Sequence, residues 1–504
     1  MTGRFVRAFT LMAALLAGSI LTPYRTAAVP LAWPQFRGPN GSGVAPDDRA
    51  APVTFGPNQN RVWQADLPPG HSSPCIWGNR IFLTGFDSGT KRTETLCLDR
   101  QNGKILWRKS APEMEVEQSL HQFNSPAAAT PATDGEGVYL YFAAYGALAY
   151  DFAGNELWAR PLPTPPTKYG SASSPIVFGG RIILQRDGNS TNSEMLALDA
   201  KTGRTIWTAP RPLNQESYST PIVWSHDGMD ELVTVGNGRV DAYDLRYGSP
   251  RWWTPGLTIQ PVSLAVVGDG LLFASSMMTG SAVEKIDMPD WPELLKLYDK
   301  NGDGRLARDE VPETAAVQLR KEVPKETPGN MLPYRKMFFE FFDVNRDGIF
   351  THDEWEVMQG FVKQNENNVI AIRPGGSGNI QASHIAWKGT RGISEVPSPL
   401  FYQDRLYFVK DGGLLTVYEP KSSQLVLDRE RLGATGQFVA SPVAAGGRIY
   451  AASVPGKVVV FKAGDTLEVL ARNDLGELIT ATPAIIEGEI YIRTAQHLWA
   501  FAQK

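Results

Sequence analysis

The chain has 504 residues, 42% of them hydrophobic and 20% charged, with a formal net charge of −4. That length holds one large repeat domain plus an insertion, and the balanced charge offers no basic field, which excludes nucleic acid as a partner. The 48 glycines and 37 prolines would suit a disordered chain by count, but they recur at regular turns, which assigns them to structure.

Residues 1–28 carry Arg4 and Arg7, then the apolar run Phe9–Leu21, then Thr26-Ala27-Ala28. This is the pattern of a secretory signal, and its apolar run is short for a membrane span. The mature protein is therefore predicted to be exported, periplasmic or extracellular, with a membrane partner only if the segment stays uncleaved. Trp33 to Leu67 is rich in Pro and Gly until Arg61-Val62-Trp63-Gln64, which reads as a lone strand.

A repeat follows. In Ser173–Trp207, Ile176–Phe178, Arg181–Gln185, Met195–Leu198 and Thr205–Trp207 are short apolar runs parted by Gly and Asp turns, the pattern of four antiparallel strands. One such sheet cannot bury both faces, so it needs copies beside it. Pro74, Pro126, Pro175, Pro221, Pro261, Pro399, Pro442 and Pro483 each open a copy, preceded by Ser73, Ser125, Ser174, Thr220, Gln260, Ser398, Ser441 and Thr482. The spacings are 52, 49, 46, 40, 138, 43 and 41 residues. A closing turn with Asp, Gly and Trp recurs as Asp99/Gly103/Trp107, Asp151/Gly154/Trp158, Asp199/Gly203/Trp207 and Asp244/Gly248/Trp252. Asp can bind turn amides, Gly takes the left-handed position, and Trp is a large wedge on the outer strand. Eight such sheets arranged radially make a propeller.

These turns resemble the tryptophan-docking repeats of the pyrroloquinoline quinone (PQQ) repeat β-propellers, and Trp33-Pro-Gln-Phe-Arg-Gly-Pro-Asn40 is similar to that family's opening. The resemblance covers 33–276 and 368–504. It implies the fold but not one activity, since the family holds quinone-dependent dehydrogenases and an outer-membrane assembly scaffold.

The 138-residue gap begins after a second-strand pattern at Gly270–Ser276 and ends at a third-strand pattern, Val369–Ile372, with Trp387 in the fourth. Removing residues 279–367 restores the ordinary period, so that stretch is predicted as a second domain threaded through a strand-to-strand loop. Within it, Asp299, Asn301, Asp303, Arg305 and Glu310 stand at positions 1, 3, 5, 7 and 12 of an EF-hand loop. Asp343, Asn345, Asp347, Ile349, Thr351 and Glu354 fill positions 1, 3, 5, 7, 9 and 12 of another. Calcium takes six to eight hard oxygens, here from the carboxylates and amides, the position-7 carbonyl and a bidentate Glu. Gly304 and Gly348 supply the sharp turn, and Leu306 and Phe350 the apolar pair that bridges two loops. Position 9 is Ala307 in the first loop, so the second, with Thr351, is predicted to bind more tightly. Asp290–Tyr298 and Pro333–Phe342 read as entering helices, Asp309–Lys321 and His352–Val362 as exiting ones. Phe338, Phe339, Phe341 and Phe342 are assigned to the core of this unit.

Since the final repeat stops at its third strand, His497–Phe501, the strand Arg61–Gln64 is predicted to complete it and close the ring. Cys75 falls on a first strand and Cys97 on a third, which predicts two free, buried thiols.

Catalytic signatures are sparse. The resemblance implies that a quinone dehydrogenase would show adjacent cysteines or a CxxCH; this chain has neither, and it lacks HExxH and GxSxG. Gly375–Gly378 reads as a connecting turn. If the family geometry holds, the residues preceding the eight prolines lie near the axis. The turn charges Arg186-Asp187, Arg239, Lys410-Asp411, Lys457 and Arg493 would then form a polar mouth. The reading is an all-β, eight-bladed β-propeller with an inserted α-helical EF-hand pair holding two Ca²⁺. It acts as a binding or scaffold protein toward a protein, peptide or small-molecule ligand at the propeller face. The alternative is a PQQ-dependent alcohol or sugar oxidoreductase; PQQ is not expected.

Overall fold

The computed structural model describes residues 31–503 except 114–119, 189–192, 215, 280–285 and 366; the predicted signal segment 1–28 lies outside the described residues. Eight four-stranded antiparallel sheets form the blades. Blade 1 runs from an inner strand Cys75–Trp77 through Arg80–Asp87 and Arg92–Asp99 to an outer strand Ile105–Ser110. Blades 2, 3 and 4 begin at Ala132–Thr133, Ile176–Phe178 and Ile222–His226, and blades 5, 6 and 7 at Val266–Gly268, Leu400–Tyr402 and Val443–Ala445. Blade 8 joins the two ends of the chain. Its inner three strands end at His497–Ala502, and its outer strand is Arg61–Asp66, registered from Arg61 opposite Phe501 to Asp66 opposite His497. A ring closed this way leaves no open sheet edge between first and last blades.

Middle strands are sandwiched between neighbouring blades and largely buried: Val138–Phe142 and Gly146–Tyr150 are buried at every position. Outer strands are more exposed, and in Glu156–Pro161 the anchor Trp158 is the one buried residue. That anchor docks onto the next blade. The indole N–H groups of Trp63, Trp107, Trp158, Trp207 and Trp387 donate to the carbonyls of Arg100 (2.8 Å), Phe152 (3.0 Å), Ala200 (2.8 Å), Leu245 (3.2 Å) and Pro420 (2.7 Å), each on the following blade. Each of the first four rings lies over the glycine of the neighbour's closing turn. Gly248, at φ +72°, shows why glycine is required, because a Cβ there would stand 2.4 Å from the Trp207 ring. Trp252 departs from the predicted wedge: its N–H donates to Glu231 of its own blade at 2.9 Å.

A second ring of contacts encircles the axis. The backbone N–H of Ser73 donates to the hydroxyl of Thr130 (2.9 Å), Thr130 to Ser174 (2.9 Å) and Ser174 to Thr220 (3.0 Å). It resumes from Leu264 to Ser398 (3.1 Å), Ser398 to Ser441 (3.0 Å), Ser441 to Thr482 (3.0 Å) and Thr482 back to Ser73 (3.0 Å). Each link joins one inner strand to the next. Two predicted positions are corrected. In blade 2 the role falls to Thr130, while Ser125 turns locally to the amide of Ala127. In blade 5 it falls to Leu264, while Gln260 sits at φ +53° in the linker. Pro126 and Pro261 both stand upstream of the true position, two residues before the inner strand, which is Thr130 in blade 2 and, without a hydroxyl, Leu264 in blade 5.

Blade 5 carries the threaded segment: Ser276 on its second strand pairs with Asn368 on its third, so the chain leaves and re-enters across one hydrogen-bonded rung. Within the segment, α1 spans Trp291–Tyr298, capped by the Asp290 side chain on the amide of Glu293. Helix α2, Tyr334–Lys336, runs on as a π-helical turn, Met337–Phe342, and α3 spans His352–Gln364 behind a capping box of Thr351 and Glu354. The predicted helix Asp309–Lys321 is replaced by turns and a short strand, Ala316–Gln318, paired with Met331–Pro333. Pro312 accounts for this, since it biases Val311 away from helical geometry and stops propagation after the loop. Phe338 stacks on Phe350 at 4.6 Å and on Tyr334 at 5.3 Å, in a core with Trp291, Leu294 and Trp355. Phe341, also assigned to that core, is instead exposed. The glycine-rich turn before Ile380 adds Gly378–Asn379 to the outer edge of blade 4, parallel to Trp252–Trp253. Cys75 and Cys97 are free and buried, separated by Phe82 on the strand between them.

Candidate functional site

The two acidic loops of the threaded segment have the same internal wiring. Asp299, at the end of α1, accepts from the amides of Gly302 (2.7 Å) and Gly304 (2.9 Å); Asp343 accepts from Asp347 (3.2 Å) and Gly348 (2.9 Å). Asn301 and Asn345 each accept from the amide two residues on, as do Asp303 and Asp347. Glu310 reaches back to the amides of Lys300 (3.0 Å) and Ala307 (2.8 Å), and Glu354 to those of Val344 (2.9 Å) and Thr351 (3.0 Å). Gly304 and Gly348 share φ +79°. Leu306 and Ala307 pair antiparallel with Phe350 and Ile349, which sets the loops side by side. Arg305 and Ile349 offer backbone carbonyls only. The Thr351 hydroxyl lies 3.0 Å from the Glu354 carboxylate, a position that Ala307 leaves without an oxygen in the other loop. Among the described residues, no three His, Cys, Asp or Glu side chains stand close enough to form a metal cluster by themselves. The loop oxygens are spread along the turns and hold backbone amides.

The segment that carries these loops lies against one face of the propeller. Arg320 pairs with Glu395, in the linker before blade 6, and with Asp411 at 2.9 Å, in the turn between the second and third strands of that blade. Lys410 pairs with Glu322 at 3.2 Å. On the far side, Gln122 of the linker between blades 1 and 2 donates to Pro328 at 3.3 Å, and the Lys168 ammonium stands 4.9 Å from the Phe341 ring. Gln122 and Lys168 lie in the linkers on either side of blade 2, opposite blade 6 in an eight-membered ring, so a segment touching these linkers and blade 6 crosses the axis. Burial pushes Asp411 up to about 7, against the pull of Arg320.

At the other face the opening segment does the same. Ala32–Trp33 pairs with Ile76–Trp77 of blade 1, and Pro34 accepts from Thr133 of blade 2 at 2.8 Å. Asn40 exchanges hydrogen bonds with Val223 of blade 4, and Val44 bridges to Ala444 of blade 7. Both ends of the axis are crossed by the chain itself.

The predicted polar mouth is therefore absent as a solvent-facing rim among the described residues. Asp187 is fully buried in a bidentate pair with Arg211 (2.9 and 3.1 Å), and burial pushes its carboxyl up to about 6. Arg186, Lys410 and Arg493 are buried as well, whereas Arg239 and Lys457 are partly exposed. The seven ring hydroxyls are buried in blade contacts and do not line an open channel. Arg211, Arg320, Glu322 and Glu395 escaped the sequence reading, because a one-off ion pair leaves no period or motif.

A family profile described as outer membrane protein assembly factor BamB matches residues 53–288 and 349–504, passing over much of the threaded segment. Among solved structures, BamB from Moraxella catarrhalis matches with a TM-score of 0.50 at 11% identity, over 88% of this chain and 98% of that one. The computationally designed Ika8 protein matches at 0.53 and 9%, over 88% and 100%. Quinohemoprotein alcohol dehydrogenase ADHIIG from Pseudomonas putida HK5 gives 0.49 and 12%, over 94% and 80%. At such identities these likenesses carry the fold alone. No curated protein matches the chain.

Proposed function

The chain belongs to the family of the outer membrane protein assembly factor BamB, PQQ-like repeat β-propellers, and from that premise we propose that it is an exported protein-binding scaffold whose threaded segment is a calcium-binding EF-hand pair. The observation that carries the calcium reading is the matched wiring of loops 299–310 and 343–354, joined through Leu306 and Phe350. Asp299, Asn301, Asp303, Glu310 and the Arg305 carbonyl would hold one ion; Asp343, Asn345, Asp347, Thr351, Glu354 and the Ile349 carbonyl the other. Calcium would supply a charge that draws the spread oxygens together and stiffens the face crossing the axis. Export rests on the signal pattern of residues 1–28.

A scaffold is favoured over a quinone enzyme by the use to which the aromatic residues are put. Trp107, Trp158 and Trp207, which could floor a quinone, are spent on blade contacts, and both ends of the axis are crossed by chain. The partner is a protein or peptide that docks on the face bearing the threaded segment.

Calorimetry tests the calcium reading. Wild type should bind two ions, Glu310→Gln should lose the weaker step and Glu354→Gln the tighter. No heat of binding, or unchanged stoichiometry in both variants, contradicts it. Dye-linked alcohol or sugar oxidation by protein supplied with PQQ and Ca²⁺ would overturn the scaffold reading.

A further inference from the structure

Three arginine side chains are among the largest fully buried groups, Arg37, Arg211 and Arg493. Arg211 is neutralised by Asp187. Arg493 has no carboxylate beside it among the described residues, but its nitrogens reach Ser72 O (3.2 Å) and Oγ (2.7 Å), Thr84 O (2.8 Å) and Pro68 O (3.1 Å). Arg37 differs from both. Its Nη2 donates to Pro399 O at 2.8 Å and approaches Pro442 O at 3.5 Å, while Nε and Nη1 have no partner among the described residues. Among the described residues the indole N–H of Trp33, buried on the same segment, is also without an acceptor.

The deficit is one of acceptors only, and it accompanies an uncompensated positive charge. Burial alone, with no carboxylate contributing, pulls the Arg37 guanidinium down to about 9, so it still carries its charge at neutral pH. A buried cation with free N–H groups is costly unless something negative accepts from it. Pro399 and Pro442 each follow a hydroxyl of the axial ring, which puts the guanidinium at the inner strands of blades 6 and 7. Gly43 closes over it: the glycine amide donates to Arg37 O at 2.9 Å, and a Cβ on Gly43 would lie 2.7 Å from Nη2. An occupant of so enclosed a place has to be small.

We propose that Arg37 is the floor of an axial site for a small monovalent anion, a halide or a carboxylate no larger than formate, taken up as the opening segment folds across the propeller. The anion accepts from Nε and Nη1 and supplies the countercharge that Asp187 supplies to Arg211.

The thermal midpoint of the full chain, followed at constant ionic strength while sodium chloride or bromide replaces sodium gluconate, reads the site. Wild type should rise saturably in either halide, and Arg37→Met should be insensitive. If Arg37→Met does not fold, bromide-soaked wild-type crystals decide, with an anomalous peak within hydrogen-bond distance of the guanidinium expected. Equal midpoints in halide and gluconate, a halide response retained in Arg37→Met, or water alone at Nε and Nη1 would overturn the proposal. Bromide seen in the crystal without a saturable response in solution, an adventitious ion only, counts against it as well.

Discussion

The ring and the segment threaded through it are held by opposite means. Between blades, one contact is used again and again: a tryptophan over the neighbour's turn, an amide on the neighbour's hydroxyl. The threaded segment meets the propeller through contacts used once, Arg320 on Glu395 and Asp411, Lys410 on Glu322. The two systems part at blade 5. There the ring position is Leu264, which has no hydroxyl, and the Trp252 N–H turns to Glu231 in its own blade. The fold accepts an insertion of this size at the blade where its repeated couplings are weakest, since a strand-to-strand loop there carries little of the ring's closure.

Removing a repeated apolar contact should cost most. Trp207→Ala empties a fully packed slot over Gly248 and should lower stability by about 3–5 kcal/mol in urea unfolding. A loss as small as a surface substitution would mean that the docking turns do not hold the blades. Arg320→Ala should come next, about 2–3 kcal/mol, because it leaves the buried Asp411 without its partner. Its signature is local: proteolysis within 286–365 accelerates while the blades stay resistant. Uniform cleavage would merge the two regions into one cooperative unit. Ser441→Ala leaves the Ser398 amide without its acceptor and should cost about 1–2 kcal/mol.

Another effect is one of pH. Asp411 sits at about 7 in the folded protein, above the roughly 3.9 of an unfolded aspartate. A raised carboxyl contributes stability that is fully present below the unfolded value and lost as pH climbs through the folded one. Wild type should therefore lose stability relative to Asp411→Asn between about pH 4 and 7. A difference constant across that window would show that Asp411 does not titrate there.

The same division explains what the sequence could show. Strands, blade count, the closing strand Arg61–Gln64 and the left-handed glycine of the closing turns were legible because a repeat states its rule many times. The hydroxyl ring was half legible: the Ser/Thr-Pro step marked most blades, but Pro126 and Pro261 mimicked it one turn too early, and only the structure shows Thr130 and Leu264 at the inner strands. The helix predicted over 309–321 does not form because Pro312 stops it after the loop. Arg37 lay in plain view within Trp33–Asn40, yet nothing in its neighbours signals that a charged side chain is to be enclosed at the axis. Single contacts are set by tertiary placement, which no local pattern encodes.

Hydrogen exchange on the full chain with and without Ca²⁺ tests the proposal of a calcium-binding unit on a ring closed independently of it. Slowed exchange is expected only in the loops 299–310 and 343–354 and the strands that join and follow them, with the blades unchanged. Exchange that is indifferent to calcium in both loops, or slowed equally through blades and loops, would contradict it.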